Sequence, residues 1–105
     1  MKLNVGGLDG WIDDNVLSPC APTYATAGTA SAQVLAENAK RKGLVVINTS
    51  QNIVSLAFDN PAVLYSGITL ISNGCFEMDN GTFTRLAVNA IASAGNSNLA
   101  IQEYE

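Results

Sequence analysis

The sequence contains no histidine, five basic residues and two cysteines among its 105 residues. Without histidine, the chain lacks the usual general base at neutral pH and the commonest neutral metal ligand. A serine or cysteine nucleophile would therefore have no ordinary activating partner. Cys20 and Cys75 also lie too far apart for the paired spacing of zinc or dithiol motifs. These absences predict a protein that is not an enzyme and that holds no metal or cofactor.

Carboxylates are the remaining candidates for catalysis. Asp13 and Asp14 are adjacent, Asp59 ends a predicted strand, and Glu77 and Asp79 alternate on one face of another. Two carboxylates at that spacing lie about 7 Å apart, a separation that glycoside hydrolysis can use. A solvated strand face explains the pair without chemistry. A carboxylate-based glycosidase is therefore retained only as the lesser alternative.

Charge is scarce and its balance is negative. Charged residues make up 13% of the chain, where about 25% is usual, and the net charge is −4. A negative protein on balance repels a phosphate backbone, so nucleic acid is not an expected partner. No stretch approaches the roughly 20 apolar residues of a membrane helix, and the amino terminus lacks the apolar core of a signal peptide. We therefore expect a protein made in the cytoplasm with no membrane partner.

The cysteine content is low for a secreted scaffold of this size. We expect two free thiols, with Cys75 buried in a strand and Cys20 in a loop. A disulfide between them is the alternative.

Residues 1–30 differ from the rest of the chain. They are rich in glycine and proline, and their apolar residues follow neither strand nor helix periodicity. The segment is nevertheless too apolar for a tail left in water. We predict an extended N-terminal arm over 1–30 that lies on a surface, which is its own domain, a neighbouring copy or another protein. Trp11 either pins the arm to its own domain or anchors it in a pocket of a partner.

Residues 31–105 alternate between short apolar segments and turn residues at the spacing typical of a sandwich or barrel. Leu44–Asn48 contains three consecutive β-branched residues in an apolar run, which predicts a strand buried on both faces. It is followed by a polar turn and the alternating segment Ile53–Phe58, and the two are predicted to pair as a hairpin. Asn73-Gly74 is a further tight-turn signal. A helix over 29–42 is the alternative for one segment only. The fold class predicted is all-β, an antiparallel β-sandwich (jelly-roll or Ig-like) of six to eight strands over residues 31–105.

Several of these segments resemble small β-sandwich virion proteins of tailed bacteriophages, of the capsid decoration (cement) or neck and tail accessory type. The shared pattern is a basic turn and an apolar strand ending in Asn-Thr-Ser, followed by short strands with Gly-Ile-x-Leu, Gly-x-x-Glu and Leu-x-Ile-x-Glu sequences. In this chain it spans Ala39–Ser50, Ile53–Leu56, Gly67–Leu70, Gly74–Glu77, Val88–Ala92 and Leu99–Glu103.

The resemblance implies a structural protein on the outer surface of a virion capsid. The expected function is that of a decoration protein that docks on the shell and stabilises it. The partner would be the major capsid protein or another virion protein, and a homotrimer is the favoured oligomer. A neck or tail adaptor and a carbohydrate-binding module are the alternatives. We expect the arm to carry most of the contact and the basic run to orient it, through Leu8, Trp11, Ile12, Val16, Leu17, Lys40, Arg41 and Lys42.

Overall fold

The structure is a computed structural model that describes residues 17–78 and 84–105. Within those ranges the chain forms eight β-strands and no helix. The strands are β1 (Thr23–Ala27), β2 (Ala32–Leu35), β3 (Gly43–Asn48), β4 (Val54–Phe58), β5 (Ile68–Leu70), β6 (Cys75–Met78), β7 (Val88–Ala92) and β8 (Ser97–Tyr104). The helix considered over 29–42 is absent, since β2 occupies its middle.

The strands form two antiparallel sheets of four. The first sheet has the order β1-β8-β3-β6 and the second has the order β2-β7-β4-β5. This arrangement of eight strands in two packed sheets is a jelly roll. The predicted fold class, an antiparallel β-sandwich of six to eight strands, is confirmed.

The core lies between the sheets and is made by alternate residues of each strand. Leu44 and Val46 of β3 are each 1% exposed, while Val54 and Leu56 of β4 are 0% and 2% exposed. Successive side chains of a strand point to opposite faces, so residues two apart share the inner face. Each such burial stabilises the fold by about 1.5–3 kcal/mol. The other face of every strand is therefore left for solvent, for the chain's own loops or for a partner.

The prediction that Leu44–Asn48 and Ile53–Phe58 pair as a hairpin is wrong. The two strands belong to different sheets, and the polar segment between them crosses the edge of the sandwich. Asn48 is fully buried, and its Nδ2 donates hydrogen bonds to the carbonyl oxygens of Asn52 (2.7 Å) and Leu70 (3.0 Å). These bonds satisfy buried backbone groups at the crossing, so the chain can leave the first sheet without unpaired carbonyls.

The turn predicted at Asn73-Gly74 is present, but it does not close a hairpin. It joins β5 of the second sheet to β6 of the first. Asn73 has a φ of 65°, whereas Gly74 is not in the left-handed region. A Cβ on Gly74 would lie 2.9 Å from the carbonyl oxygen of Ile71, so glycine is needed there for close approach rather than for positive φ.

The sheet begins earlier than the predicted boundary between arm and domain. β1 lies within residues 1–30 and pairs with β8 from Thr23 to Ala27. Before it, Ser18 and Glu105 exchange two backbone hydrogen bonds of 2.9 Å, and Pro19 forms an isolated bridge with Tyr104. The sandwich therefore includes residues assigned to the arm. The arm residues expected to bind a partner, other than Leu17, lie outside the described ranges: Leu8, Trp11, Ile12 and Val16.

Candidate functional site

The three consecutive basic residues have three different environments. Lys40 is exposed, Lys42 is half-buried, and Arg41 is completely buried. The Nε of Arg41 donates to the Glu103 carboxylate at 2.8 Å, forming an ion pair. Its other nitrogens donate to the carbonyl oxygens of Thr84, Leu86 and Ala36 at 3.0, 2.8 and 3.0 Å.

Arg41 therefore has a structural role in this fold. Asn38 joins the same cluster, because its Nδ2 donates to the carboxylates of Glu103 and Glu105 at 3.2 and 2.9 Å. Together these bonds attach the turn before β3 to the end of β8. The expectation that Arg41 contacts a partner conflicts with its burial, since no part of its side chain reaches the surface. Only Lys40 and Lys42 of the basic run remain available for such contact.

Leu17, the first described residue, lies at one end of the first sheet. It is 38% exposed, and its Cδ1 would be 3.5 Å from a Cβ placed on Gly43. Leu17 and Gly43 border a depression of about 300 Å³ at this end of the sheet. Val45, Glu77 and Tyr104 border the same depression. Lys42 is adjacent, because its backbone N–H donates to the Tyr104 carbonyl at 2.8 Å. The structure thus brings Leu17 and Lys42 to one end of the sheet and leaves Arg41 beneath it.

The outer face of the first sheet has an apolar centre that is only partly covered. We call it the open face. Cross-strand pairing places Tyr24, Ala100, Ile47 and Cys75 in one row across all four strands. Val45 occupies the next row on this face. A second depression of about 160 Å³ lies between Val45, Ile47 and Ala100. Tyr24 is 75% exposed, so the row ends in an aromatic side chain that contacts water.

The outer face of the second sheet is covered by the chain itself. Ser55 points outward from β4, yet it is completely buried, because the loop 59–67 folds back over it. The Ser55 Oγ accepts a hydrogen bond from the Tyr65 N–H at 2.9 Å. Ala62 is fixed in the same way, since its N–H donates to the Ser31 Oγ at 2.8 Å. We call this the closed face.

Two large side chains stand out from the closed face. Val63 is 60% exposed and Tyr65 is 69% exposed, and Tyr65 has a φ of 66°. A bulky residue in the left-handed region is strained unless its surroundings hold it there, as the bond to Ser55 does. Sequence reasoning did not single out Val63. The polar turn that precedes it was visible, but nothing in the sequence indicated that the loop folds over the sheet.

Exposed tyrosines do not form a single stacking surface. Tyr24 stands on the open face and Tyr65 on the closed face, on opposite sides of the sandwich. A carbohydrate-binding module usually presents coplanar aromatic rings, and these two cannot stack on one sugar chain. The arrangement gives no support to that alternative.

The prediction that Cys75 is buried is wrong. It lies on the open face and is exposed, while its neighbours Phe76 and Met78 point into the core. Cys20 is half-buried beside the end of β8, and its N–H donates to the Glu103 carbonyl at 2.9 Å. Desolvation raises the pKa of the Cys20 thiol, and the carboxylates of Glu105 and Glu103 raise it further. Both thiols are free, at opposite edges of the first sheet.

Acidic side chains and thiols are not clustered as a metal site in the described ranges. Residues 17–78 and 84–105 contain no group of three or more His, Cys, Asp or Glu side chains that could hold a metal ion. Glu77 is exposed on the open face and Asp59 is exposed at the end of β4, while Asp13, Asp14 and Asp79 lie outside the described ranges. In the part of the chain that the structure describes, no helix is long and apolar enough to cross a membrane.

Comparison with known proteins gives one likeness of fold. No protein-family model matches the chain, and no curated protein matches it. One solved structure is similar, from work described as "Bacillus endospore appendages form a novel family of disulfide-linked pili". The sequences are 14% identical, the TM-score is 0.52, and the match covers 85% of this chain and 84% of the other. At that identity, the likeness is one of β-sandwich fold.

Proposed function

We propose that this chain is a non-enzymatic structural subunit that docks on the surface of a larger protein assembly and stabilises it. The assembly we favour is the head of a tailed bacteriophage, with the chain as a decoration (cement) protein on the outer surface of the capsid. The observation that carries the proposal is the open face, whose apolar centre the described residues leave only partly covered. The resemblance of the strand and turn sequences to phage virion proteins supports this choice of assembly.

The chemistry of the open face suits protein contact. Interface cores are depleted of charge and enriched in aromatic residues. The row from Tyr24 to Cys75 includes Ile47, and the next row places Val45 between Gln102 and the charged Glu77. Contiguous exposed apolar surface of this kind marks interaction sites in soluble proteins. We expect Tyr24 to be the strongest single contributor, because large aromatics dominate binding energy.

Stabilisation of the shell follows from mass action. A subunit that binds the assembled shell but not its dissociated parts stabilises it by about 4 kcal/mol per site at a thousandfold excess over Kd. No bond is made or broken. The partner is the major capsid protein or another virion protein, and a trimer matches the three-fold positions of an icosahedral shell. A place on the neck or tail would use the same surface.

Cosedimentation tests the proposal. Purified chain is mixed with capsids that lack it and, separately, with tails, and the pellet is assayed. We expect binding to capsids and a higher temperature of capsid disruption. Val45→Lys, which places a charge on the open face, should abolish both effects. Gln51→Lys, in an exposed turn away from that face, is the matched control and should bind like the native chain. Binding to tails alone would move the protein to the tail, and binding to neither would refute the proposal.

A second candidate is a subunit of a protein filament. The observation that favours it is the pair of free cysteines at opposite edges of one sheet, combined with the shared fold of a protein described as forming disulfide-linked pili. Copies joined side by side could link Cys20 of one to Cys75 of the next. Non-reducing electrophoresis after oxidation should then give a ladder of multimers. Cys75→Ser should reduce the ladder to dimers, and a native chain that stays monomeric would exclude this candidate.

A further inference from the structure

β3, one of the two inner strands of the first sheet, has the composition of a strand covered on both sides. Leu44, Val46 and Asn48 of β3 fill the core, but Val45 and Ile47 on the other side are apolar too. Both are only half-buried. Strands that are solvated on one face normally carry polar residues there. The side chains of β3 therefore indicate that another apolar element covers the open face.

The chain enters the described structure on this face. Ser18 is tied to the end of β8, and Leu17 turns from there toward β3, where its side chain borders the depression beside Gly43. Leu17, where the described structure begins, therefore lies at the edge of the open face. A segment joined at that point reaches the face without a long loop, which keeps the entropic cost of closure small.

The segment that precedes Leu17 has sufficient length and suitable chemistry. Sixteen residues come before it, and fully extended they would span about 53–58 Å. The row that contains Ile47 and Cys75 lies only about 13 Å from Gly43 along the strands. The segment also carries apolar residues with no regular period, including the single tryptophan, Trp11.

We propose that the open face is the docking surface for the amino-terminal segment, residues 1–16, of the same chain. In the free subunit, this segment lies across β3 and covers Val45 and Ile47. The tether at Leu17 gives the segment a high effective concentration over its own face. This goes beyond the proposed function, because it concerns the subunit before any partner is present. The segment must leave this face before the shell can contact the face or the segment itself.

Trp11 is a built-in reporter, because it is the only tryptophan in the chain. We expect its fluorescence in the native protein to peak at the short wavelengths of a buried indole and to resist quenching by iodide. Val45→Lys should shift the emission to the wavelength of exposed tryptophan. Val63→Lys makes the same change on the closed face and should leave the emission unchanged. Circular dichroism of each variant verifies that the sandwich stays folded.

A disulfide trap tests the same contact without disturbing the face. Ile12→Cys, in a chain with Cys20→Ser, lies five residues before Leu17 and can reach Cys75, since five extended residues span about 17 Å. Mild oxidation with diamide should give a monomer that has lost both free thiols. Val63→Cys in the same background is the control and should not pair with Cys75 within one chain, because the sandwich separates them.

Dilution identifies the occupant. A contact within one chain forms to the same extent after tenfold dilution, whereas a contact between copies weakens and gives a disulfide-linked dimer. Trp11 emission at the exposed wavelength in the native chain, or both thiols remaining free, would refute the proposal. A dimer as the main product would assign the face to a second copy and refute the intrachain contact. These measurements use the free protein, so their failure is separable from failure to bind capsids.

Discussion

Replacing Arg41 by methionine tests the buried cluster that joins the turn before β3 to the end of β8. The change preserves much of the side-chain length but removes a guanidinium that is 0% exposed and donates to Glu103 and to three carbonyl oxygens. Removing one partner of a buried ion pair costs about 3–5 kcal/mol. The Glu103 side chain keeps 18% of its surface in water and a bond from Asn38, which lowers the cost. We therefore expect a loss of about 3 kcal/mol, at the lower end of that range.

Urea unfolding followed by circular dichroism measures this loss. The total stability of a domain is about 5–15 kcal/mol, so the variant should unfold at a clearly lower urea concentration with an unchanged m-value. Its melting temperature should fall by about 12–24 °C, at about 4–8 °C per kcal/mol. Lys40→Met is the control, because the neighbouring exposed side chain should contribute less than about 0.5 kcal/mol. Equal stability of the two variants would show that the Arg41 cluster does not hold the turn.

Two further predictions concern the closed face and Cys20. Tyr65→Gly should be more stable than Tyr65→Ala by about 1 kcal/mol in urea unfolding, because only glycine accepts a φ of 66° without strain; equal stabilities would contradict the strain. In a Cys75→Ser chain, alkylation of Cys20 should require a higher pH than in the unfolded chain, because desolvation and the nearby Glu105 and Glu103 raise the pKa of the thiol. Glu105→Gln should lower that pH. Since the folded state then holds the thiol proton more tightly, the free energy of unfolding should fall as pH rises from the unfolded pKa toward the folded one.

The fold class could be predicted because strand periodicity and turn residues are local signals. Alternation within Ile53–Phe58 and the Asn73-Gly74 turn both correspond to elements of the structure. Pairing was not predictable in the same way. In a jelly roll, consecutive strands often lie in different sheets, and the sequence between β3 and β4 is as compatible with a hairpin as with a crossing. Asn48 bonds to the carbonyl oxygens of Asn52 and Leu70 at the crossing, but in the sequence it looks like an ordinary strand end.

Predictions about the surface also depended on contacts that the local sequence does not show. Leu17 and Lys42 both lie near one end of the open face, but Arg41 in the same basic run is buried. Charge runs predict solvation, and an arginine is buried only when long-range partners satisfy its fork of donors. Those partners, Glu103 and the carbonyl of Leu86, are far away in the sequence. The error for Cys75 has a simpler cause. Cys75 is two residues from Glu77 and shares its solvated strand face, but cysteine is among the residue types most often buried.

The two outer faces bear differently on the two candidate functions. A filament subunit needs two complementary surfaces, because heterologous contacts must repeat from copy to copy. A decoration subunit needs only one surface toward the shell. The closed face is already covered by the loop 59–67, whose backbone is fixed by Ser55 and Ser31, whereas the open face has no comparable cover among the described residues. The sandwich therefore offers one apolar face for docking, because its own loop covers the other. A single docking face favours a subunit that binds its partner from one side. Because of this difference between the two faces, we rank the decoration function ahead of the filament. In a filament, the copies would have to be joined through sheet edges instead of faces.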